Sequence, residues 1–351
     1  MYKLIVGPPG SGKTTEILNF KKNNQNVKII GYSWILCSQI KGVTFYNLFG
    51  IHPNMTSLTE RDKYRISNME INYILIDEIF MFNSKEFDMI VECIKQLKDI
   101  KQVIMFGDYM QLKSYESLFF ENFGIKNIII ESRNKLYRSF GCEKLSNILI
   151  NYRKNGKIPL SIFKDNLITD EKILIRDYLR DGWILCSGTN LRISNWTKKL
   201  EKIKGFTKLP DGKLYLQFAT MKKSVNGLIK GQIIKISSLL ENGIDISAFY
   251  NDYSSGEEKK IIIYGKRENY SISYPFDPLI ISTVHKLQGL TLDKIVIDIK
   301  DLFEFNSFYT AISRVRKFDD IKIFCGKNDL KFMNSEIETN ENLFNIFSSI
   351  I

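Results

Sequence analysis

The chain has 351 residues, and its 50 Lys+Arg against 39 Asp+Glu leave a formal charge of +11 at neutral pH. Hydrophobic residues at 44% and charged residues at 25% exclude disordered and fibrous classes, and the length implies two or three domains with ample core. The basic surplus points to an acidic partner such as nucleic acid. Only 11 of the basic residues are arginine, however, and the chain is rich in Ile, Asn and Lys throughout, so genome composition accounts for the surplus equally well.

Cys37, Cys93, Cys142, Cys186 and Cys325 form no CxxC pair, and the only histidines are His52 and His285, which argues against a zinc site or a disulfide scaffold. No signal peptide precedes the first strand, and no apolar stretch approaches the ~18 residues of a membrane span. The expectation is a soluble intracellular protein.

In chain order, short apolar runs alternate with segments of helical period. YKLIV (2–6) leads into GPPGSGKT (7–14). YILI (73–76) ends in Asp77-Glu78. Asn83–Lys98 reads as a helix with Phe87, Ile90, Val91, Ile94 and Leu97 on one stripe, opened by Asn83 and Glu86 at capping-box spacing. QVIMF (102–106) leads into GDYMQL (107–112), and a second amphipathic helix at about 143–155 carries Leu145, Ile148, Leu149 and Tyr152 before Gly156 stops it. WILC (183–186), LIIST (279–283), KIVIDI (294–299) and IKIF (321–324) complete the set. Apolar runs without alternation are what strands buried on both faces look like, so parallel sheets covered by helices are expected. Between them, 206–275 holds short strand-like pieces separated by Gly, Asn, Asp and Ser, and reads as a small β-barrel-like insertion.

Residues 7–14 match the phosphate-binding pattern GxxxxGK[ST] in the context it needs, after a strand and before a helix. Backbone N–H groups of Gly7, Pro8, Pro9, Gly10, Ser11, Gly12, Lys13, Thr14 and Thr15, wherever they carry one, are candidates to line the nucleotide. Lys13 would reach the β/γ-phosphates and the Thr14 hydroxyl would ligate Mg²⁺. Asp77 would hold the metal shell and Glu78 would deprotonate the attacking water, although two adjacent acids at a strand end are also an ordinary solvated turn. Gln111, three residues after Asp108, would reach a γ-phosphate.

Taken together these segments resemble the first RecA-like domain of a superfamily 1 helicase. LIISTVHKLQGLTL (279–292) is similar to that family's motif V and FYTAISRVR (308–316) to its motif VI. VHKLQGLT resembles the Pif-type and RecD-type DNA helicases of subgroup B, which move 5′-to-3′; IKGVTFYNLFGI (40–51), KLYR (135–138) and VNGLIKG (225–231) extend the similarity over nearly the whole chain. The resemblance implies an α/β protein of two RecA-like P-loop domains, 1–150 and 151–205 plus 276–351, with an SH3-like β-barrel at 206–275 inserted in the second. It implies ATP and Mg²⁺ bound between the two RecA-like domains, with Arg138 and Arg314 acting on the γ-phosphate and Gln288 and Gly289 lining the same cleft. Single-stranded DNA would contact Thr44, Phe45, Tyr46, Thr283, His285 and Lys286, the last two at a strand end.

Blander alternatives stand beside these roles. Arg314 could lie on a solvated basic helix face, Arg138 has Arg133 close by, Phe45 could be core, and a lone His285 is often a satisfied buried residue. Only six residues precede Gly7, which leaves no room for the upstream glutamine that reads adenine in many relatives, so nucleotide choice is expected to be loose. The chain is expected to act as a monomer in the cytoplasm, the nucleus or a viral replication site. The rival readings are a viral-type superfamily 1 RNA helicase and a nucleic-acid-stimulated NTPase that does not unwind.

Overall fold

A computed structural model describes residues 1–111, 128–133, 135–137, 141–202, 207–210, 214–215, 218–252, 257–268, 271–302, 306–326 and 336–338. The chain divides into two units, one containing Met1–Gly141 and the other Cys142–Glu338. The division falls a few residues before the expected boundary near 150, so the helix Glu143–Asn155 belongs to the second unit.

The first unit is built on six strands: β1 (Tyr2–Val6), β2 (Val27–Gly31), β3 (Val43–Thr44), β4 (Tyr73–Ile76), β5 (Gln102–Gly107) and β6 (Ile128–Ser132). They run in the order β3-β2-β4-β5-β1-β6, and every ladder between them is parallel. Leu4, Ile5, Leu75, Ile76, Ile104 and Phe106 are buried, as runs without polar alternation require. The helices are α1 (Lys13–Asn23), α2 (Trp34–Gln39), α3 (Phe45–Phe49), α4 (Glu60–Ser67) and α5 (Ser84–Gln96). Helix α5 starts where the sequence places it: Asn83 Oδ1 accepts from Glu86 N at 2.9 Å and Glu86 Oε2 accepts from Asn83 N at 3.0 Å. Its buried face is Phe87, Met89, Ile90, Cys93 and Ile94.

The second unit opens with α6 (Glu143–Asn155), whose buried residues include Leu145, Ile148, Leu149 and Tyr152, and Gly156 ends it at φ 70°. Next come β7 (Lys157–Pro159), β8 (Leu167–Ile168), α7 (Glu171–Ile173), β9 (Ile184–Ser187) and α8 (Asn190–Leu200). After the β-rich segment the chain returns through β19 (Ile281–Thr283), α9 (Val284–Leu287), β20 (Ile295–Asp298), α10 (Ser307–Ile312) and β21 (Ile321–Phe324). A second all-parallel sheet results, in the order β19-β9-β20-β21-β8, while β22 (Glu336–Glu338) pairs antiparallel with β7. One buried polar cluster locks this sheet to α8. Asp298, 1% exposed, accepts from Arg192 Nε and Trp196 Nε1, each at 2.7 Å, and from Lys300 N at 3.2 Å.

Between α8 and β19 lies an antiparallel β region. The hairpins β10 (Thr207–Lys208) with β11 (Leu214–Tyr215), and β16 (Lys266–Glu268) with β17 (Ser271–Ser273), flank a five-stranded sheet. That sheet comprises β12 (Phe218–Met221), β13 (Ile233–Leu239), β14 (Ile246–Asn251), β15 (Glu258–Ile263) and β18 (Phe276–Pro278), ordered β15-β14-β13-β12-β18. Its own core of Ala219, Ile234, Ile246, Ala248, Ile263 and Phe276 is separate from that of the parallel sheet. Among the described residues the ladder has two ends, at β15 and β18, so an antiparallel β region is established but a closed barrel is not. The region also runs through Pro278, three residues beyond the expected limit.

Candidate nucleotide and nucleic-acid site

The loop after β1 is shaped by its glycines. Gly10 (φ 78°) and Gly12 (φ 88°) take the left-handed conformation that a Cβ disfavours, and Gly12 caps α1. At Gly7 the constraint is space: a Cβ there would lie 2.7 Å from Ser11 Oγ and 2.9 Å from Arg133 O. The loop is tied to its neighbours by Gly7 N donating to Gly107 O at 3.1 Å, Arg133 N to Val6 O at 2.7 Å and Tyr137 N to Gly10 O at 2.7 Å. Lys13 is buried, and its Nζ donates to the loop carbonyls of Gly7 (2.7 Å) and Pro8 (3.0 Å). Pro8, Pro9 and Ser11 are buried, whereas Thr14 and Thr15 are exposed on the first turn of α1.

The acids stand two strands away. Asp77 follows β4, is buried, and accepts from Glu78 N at 3.0 Å. Burial, and after it the charge of Glu78, push the Asp77 carboxyl up to about 7, while the nearby Lys13 ammonium opposes the rise. Glu78 holds φ 50°, a left-handed backbone unusual for a side chain with a Cβ, and strain of this kind clusters at functional positions. Strand β5 lies between β1 and β4 and delivers Asp108 and Gln111, both buried, with Gln111 Nε2 donating to Asp108 Oδ2 at 3.3 Å. The carboxyl ends of three adjacent parallel strands therefore bring together Lys13, Asp77, Glu78 and Gln111, at the edge where open α/β sheets bind ligands. Arg138 lies outside the described residues. Its neighbour Arg133 is committed locally, within 3.2 Å of Glu16 and 2.6 Å of Glu131.

The site's chemistry suits a polyphosphate. Among the described residues, the buried Ser11 Oγ finds no hydrogen-bond partner, and a Cβ would fill the cradle at Gly7. For Mg²⁺ the fitting donors are hard oxygens, the Thr14 hydroxyl and the Asp77 carboxylate. No cluster of three or more His, Cys, Asp or Glu suited to a metal is found among the described residues.

The nucleic-acid candidates divide. Phe45 is 1% exposed and packs at 5.0 Å from Tyr46 and 5.6 Å from Phe49, so it is core and offers no face for stacking. Tyr46 is half-buried; its hydroxyl donates to Glu86 Oε1 at 3.3 Å, and burial followed by that carboxylate's charge pushes its pKa up to about 12. Thr44 precedes α3 without a side-chain cap. In the second unit, Thr283 Oγ1 caps α9 by accepting from Lys286 N at 3.4 Å. His285 and Lys286 thus sit on a one-turn helix after the strand rather than on the strand end, His285 half-buried and Lys286 exposed. Gln288 is buried, and Gly289 turns at φ 79°.

Arg314 corrects the helix-face alternative. Helix α10 stops at Ile312, and Arg314 is 1% exposed, its Nε donating to Thr310 O at 2.9 Å and its Nη2 to Ser313 Oγ at 2.7 Å. Leu292 N donates to Arg314 O at 2.8 Å, which joins the segment after α9 to the one after α10. Beyond the expected site residues, the exposed Tyr137 ring lies 3.4 Å from where a Gly12 Cβ would stand, and Asp108, to which the sequence reading gave no role of its own, is buried beside Gln111. The GDxxQ spacing was the signal for Asp108.

Comparison with known proteins agrees with this geometry. A family model described as the viral superfamily 1 RNA helicase core domain matches residues 3–157. Over nearly its full length the chain is also similar to an ATP-dependent DNA helicase Pif1 of Campylobacter jejuni, at 23% identity over 92% of this chain and 88% of that protein. The chain is similar to superfamily 1 helicases. Within that superfamily the likeness is to the Pif type: a second helicase of that name, from Psychrobacter, is 22% identical over 93% of this chain and 66% of its own. Solved structures share the fold. Pif1 helicase from Candida albicans superposes with a TM-score of 0.67 at 15% identity, covering 100% of this chain and 96% of that one. Bacteroides Pif1 in complex with ADP-AlF3 and ssDNA gives 0.64 at 19%, covering 99% and 93%. Among the described residues no helix is long and apolar enough to cross a membrane.

Proposed function

We propose that this chain is a superfamily 1 helicase, an ATP-dependent DNA helicase that translocates 5′-to-3′ on single-stranded DNA and opens duplexes ahead of it. The observation that carries the reading is the convergence of Lys13, Asp77, Glu78 and Gln111 at three adjacent strand ends, beside a phosphate loop whose shape demands glycine. The preference for DNA, and the polarity, rest on the similarity to Pif-type helicases.

In hydrolysis, the water oxygen bonds to the γ-phosphorus as the bridging bond to the β-phosphate breaks, and the proton of that water passes to the Glu78 carboxylate. Lys13 turns from its loop carbonyls to the β/γ-phosphates, and Gln111, aligned by Asp108, orients the water. Thr14 and Asp77 would hold Mg²⁺, which would supply charge neutralisation at the phosphates. Arg314 and Arg138 stabilise charge developing on the γ-phosphoryl; prefolding of the Arg314 side chain onto Thr310 and Ser313 limits the entropy lost in using it. Thr44, Tyr46, Thr283, His285 and Lys286 serve the strand, Gln288 and Gly289 serve the nucleotide, and the β region with its two hairpins forms an SH3-like barrel. The enzyme works as a monomer.

The test compares ATPase stimulation by single-stranded DNA and RNA, then unwinding of duplexes with only a 5′ or only a 3′ tail. Strong stimulation by DNA and opening of the 5′-tailed duplex alone are expected. Preferential stimulation by RNA would favour the RNA-helicase reading, and stimulation without opening would leave a nucleic-acid-stimulated NTPase.

A further inference from the structure

Helix α10 has six residues, about one and a half turns, which is too short to hold its own conformation, so its place is imposed by what it packs against. All six residues are buried. The residue before it, Asn306, turns at φ 68° and gives the helix no side-chain cap. Its amide is engaged elsewhere: Asn306 Oδ1 accepts from the Tyr152 hydroxyl at 2.9 Å, across 154 residues of chain. The Tyr152 ring also stacks on Tyr309 of α10, with centroids 5.1 Å apart and planes 26° from parallel. Both tyrosines are 0% exposed. The apolar stripe of α6 accounts for the Tyr152 ring but not for its hydroxyl. A phenylalanine would fill the same space without a polar atom that burial makes costly unless it is paired.

We infer that Tyr152, acting through Asn306, is a positioning residue for Arg314, an inference that rests on the helicase reading above. Arg314 Nε donates to Thr310 O and Nη2 to Ser313 Oγ, and both partners lie on α10 or directly after it. A shift of the helix is therefore carried straight to the guanidinium. The two ends of α10 are pinned from different parts of the second unit. At the far end Leu292 N, from the segment after α9, donates to Arg314 O at 2.8 Å; at the near end the tie is Tyr152 to Asn306, from α6. Stacking alone lets one ring slide across the other, whereas a hydrogen bond fixes direction as well as distance. Precision matters at this end of the chain of contacts, because a misplacement of about 1 Å in a group that meets transition-state charge costs up to about 10²-fold in rate.

Full-length variants test the tie from both sides. Tyr152→Phe removes the donor and keeps the ring, and Asn306→Gly removes the acceptor at a backbone angle that glycine adopts freely. Each should lower the DNA-stimulated kcat for ATP roughly tenfold, with KM and oligothymidylate affinity within about twofold of the parent. The double variant should be no worse than either single one, since all three lose the same bond. A merely structural role would instead lower the thermal midpoint and leave kcat per folded molecule unchanged. Parental kcat in Tyr152→Phe, or losses in the single variants that multiply in the double one, would overturn the positioning role and leave the helicase reading standing. Should Tyr152→Phe fail to fold, Asn306→Gly decides by the same comparison of kcat with KM. If the parent shows no DNA-stimulated ATP hydrolysis, the helicase reading falls and takes the positioning role with it.

Discussion

Two buried aspartates occupy matching places in the two sheets, at the carboxyl ends of β4 and β20, and the chain treats them in opposite ways. Asp298 is saturated: a guanidinium N–H, an indole N–H and a backbone N–H all point at it. Asp77 receives one backbone N–H, sits beside another acid, and is pushed up to about 7 by its burial. Burying a charge is costly unless donors surround it. A carboxylate that holds a fold together is therefore given its donors by the fold. One that is left short of them is kept for something the chain alone does not contain.

The largest effect that would break this contrast is kinetic. Asp77→Asn, Glu78→Gln and Lys13→Ala should each lower the DNA-stimulated kcat for ATP by roughly 10³-fold or more, and Arg314→Ala similarly with little change in KM. Asp298→Asn should leave the chemistry of the first unit alone. If Glu78→Gln kept near-normal turnover, Glu78 would not be the base.

Stability should move the other way. Asp298→Ala removes the buried acceptor shared by the Arg192 guanidinium and the Trp196 indole, and should cost about 3–5 kcal/mol in urea denaturation of the second unit. Asp77→Asn should instead stabilise the protein in EDTA without nucleotide at pH 8. The folded pKa of Asp77 lies above its ordinary value of 3.8, so the native state holds a proton that the unfolded chain has released. Stability of the ligand-free protein should fall as pH rises from about 4 through about 7, and Asp77→Asn should flatten that slope. A thermal midpoint that drops at pH 8 in Asp77→Asn would place Asp77 with Asp298 as a structural group.

Gly7→Ala probes the cradle itself. Its Cβ would meet backbone at Arg133, which cannot swing aside as a flexible side-chain tip would. A loss of about 1–3 kcal/mol in stability is expected, together with nucleotide affinity reduced at least tenfold, read by calorimetric titration.

What the sequence made legible follows the same division. Strands such as Tyr2–Val6 and Ile321–Phe324 were readable because both faces are largely covered and every residue but one lysine in each run is apolar or aromatic. Lys13, Asp77 and Gln111 were readable because phosphate chemistry fixes residue type and spacing along a few consecutive residues. The Asp298 cluster was not, since Arg192 lies 106 residues away and no local pattern joins them. The burial of Phe45, expected as a strand contact, and of Arg314, whose solvated-face alternative stood open, was not legible for a related reason. A short apolar or basic segment does not say which side chains a neighbouring element will cover, and α10 ends two residues before Arg314, so helical periodicity could not place it.

The smallest test separates the two neighbours at the start of α3. Phe45 belongs to the core, so Phe45→Ala should cost about 3–5 kcal/mol by leaving a cavity against Phe49. Tyr46 has one polar contact, the 3.3 Å hydrogen bond to a half-buried carboxylate that already caps α5 through its other oxygen. Tyr46→Phe removes that bond and keeps the ring. Because Glu86 retains the Asn83 cap and some access to water, the loss should be only about 0.5–1.5 kcal/mol in stability. Oligonucleotide affinity should separate the possible roles of the hydroxyl. A ring that serves the strand by stacking binds equally well as phenylalanine, so affinity within about twofold of the parent is expected, whereas a drop near tenfold, about 1.4 kcal/mol, would mean that the hydroxyl itself contacts the strand.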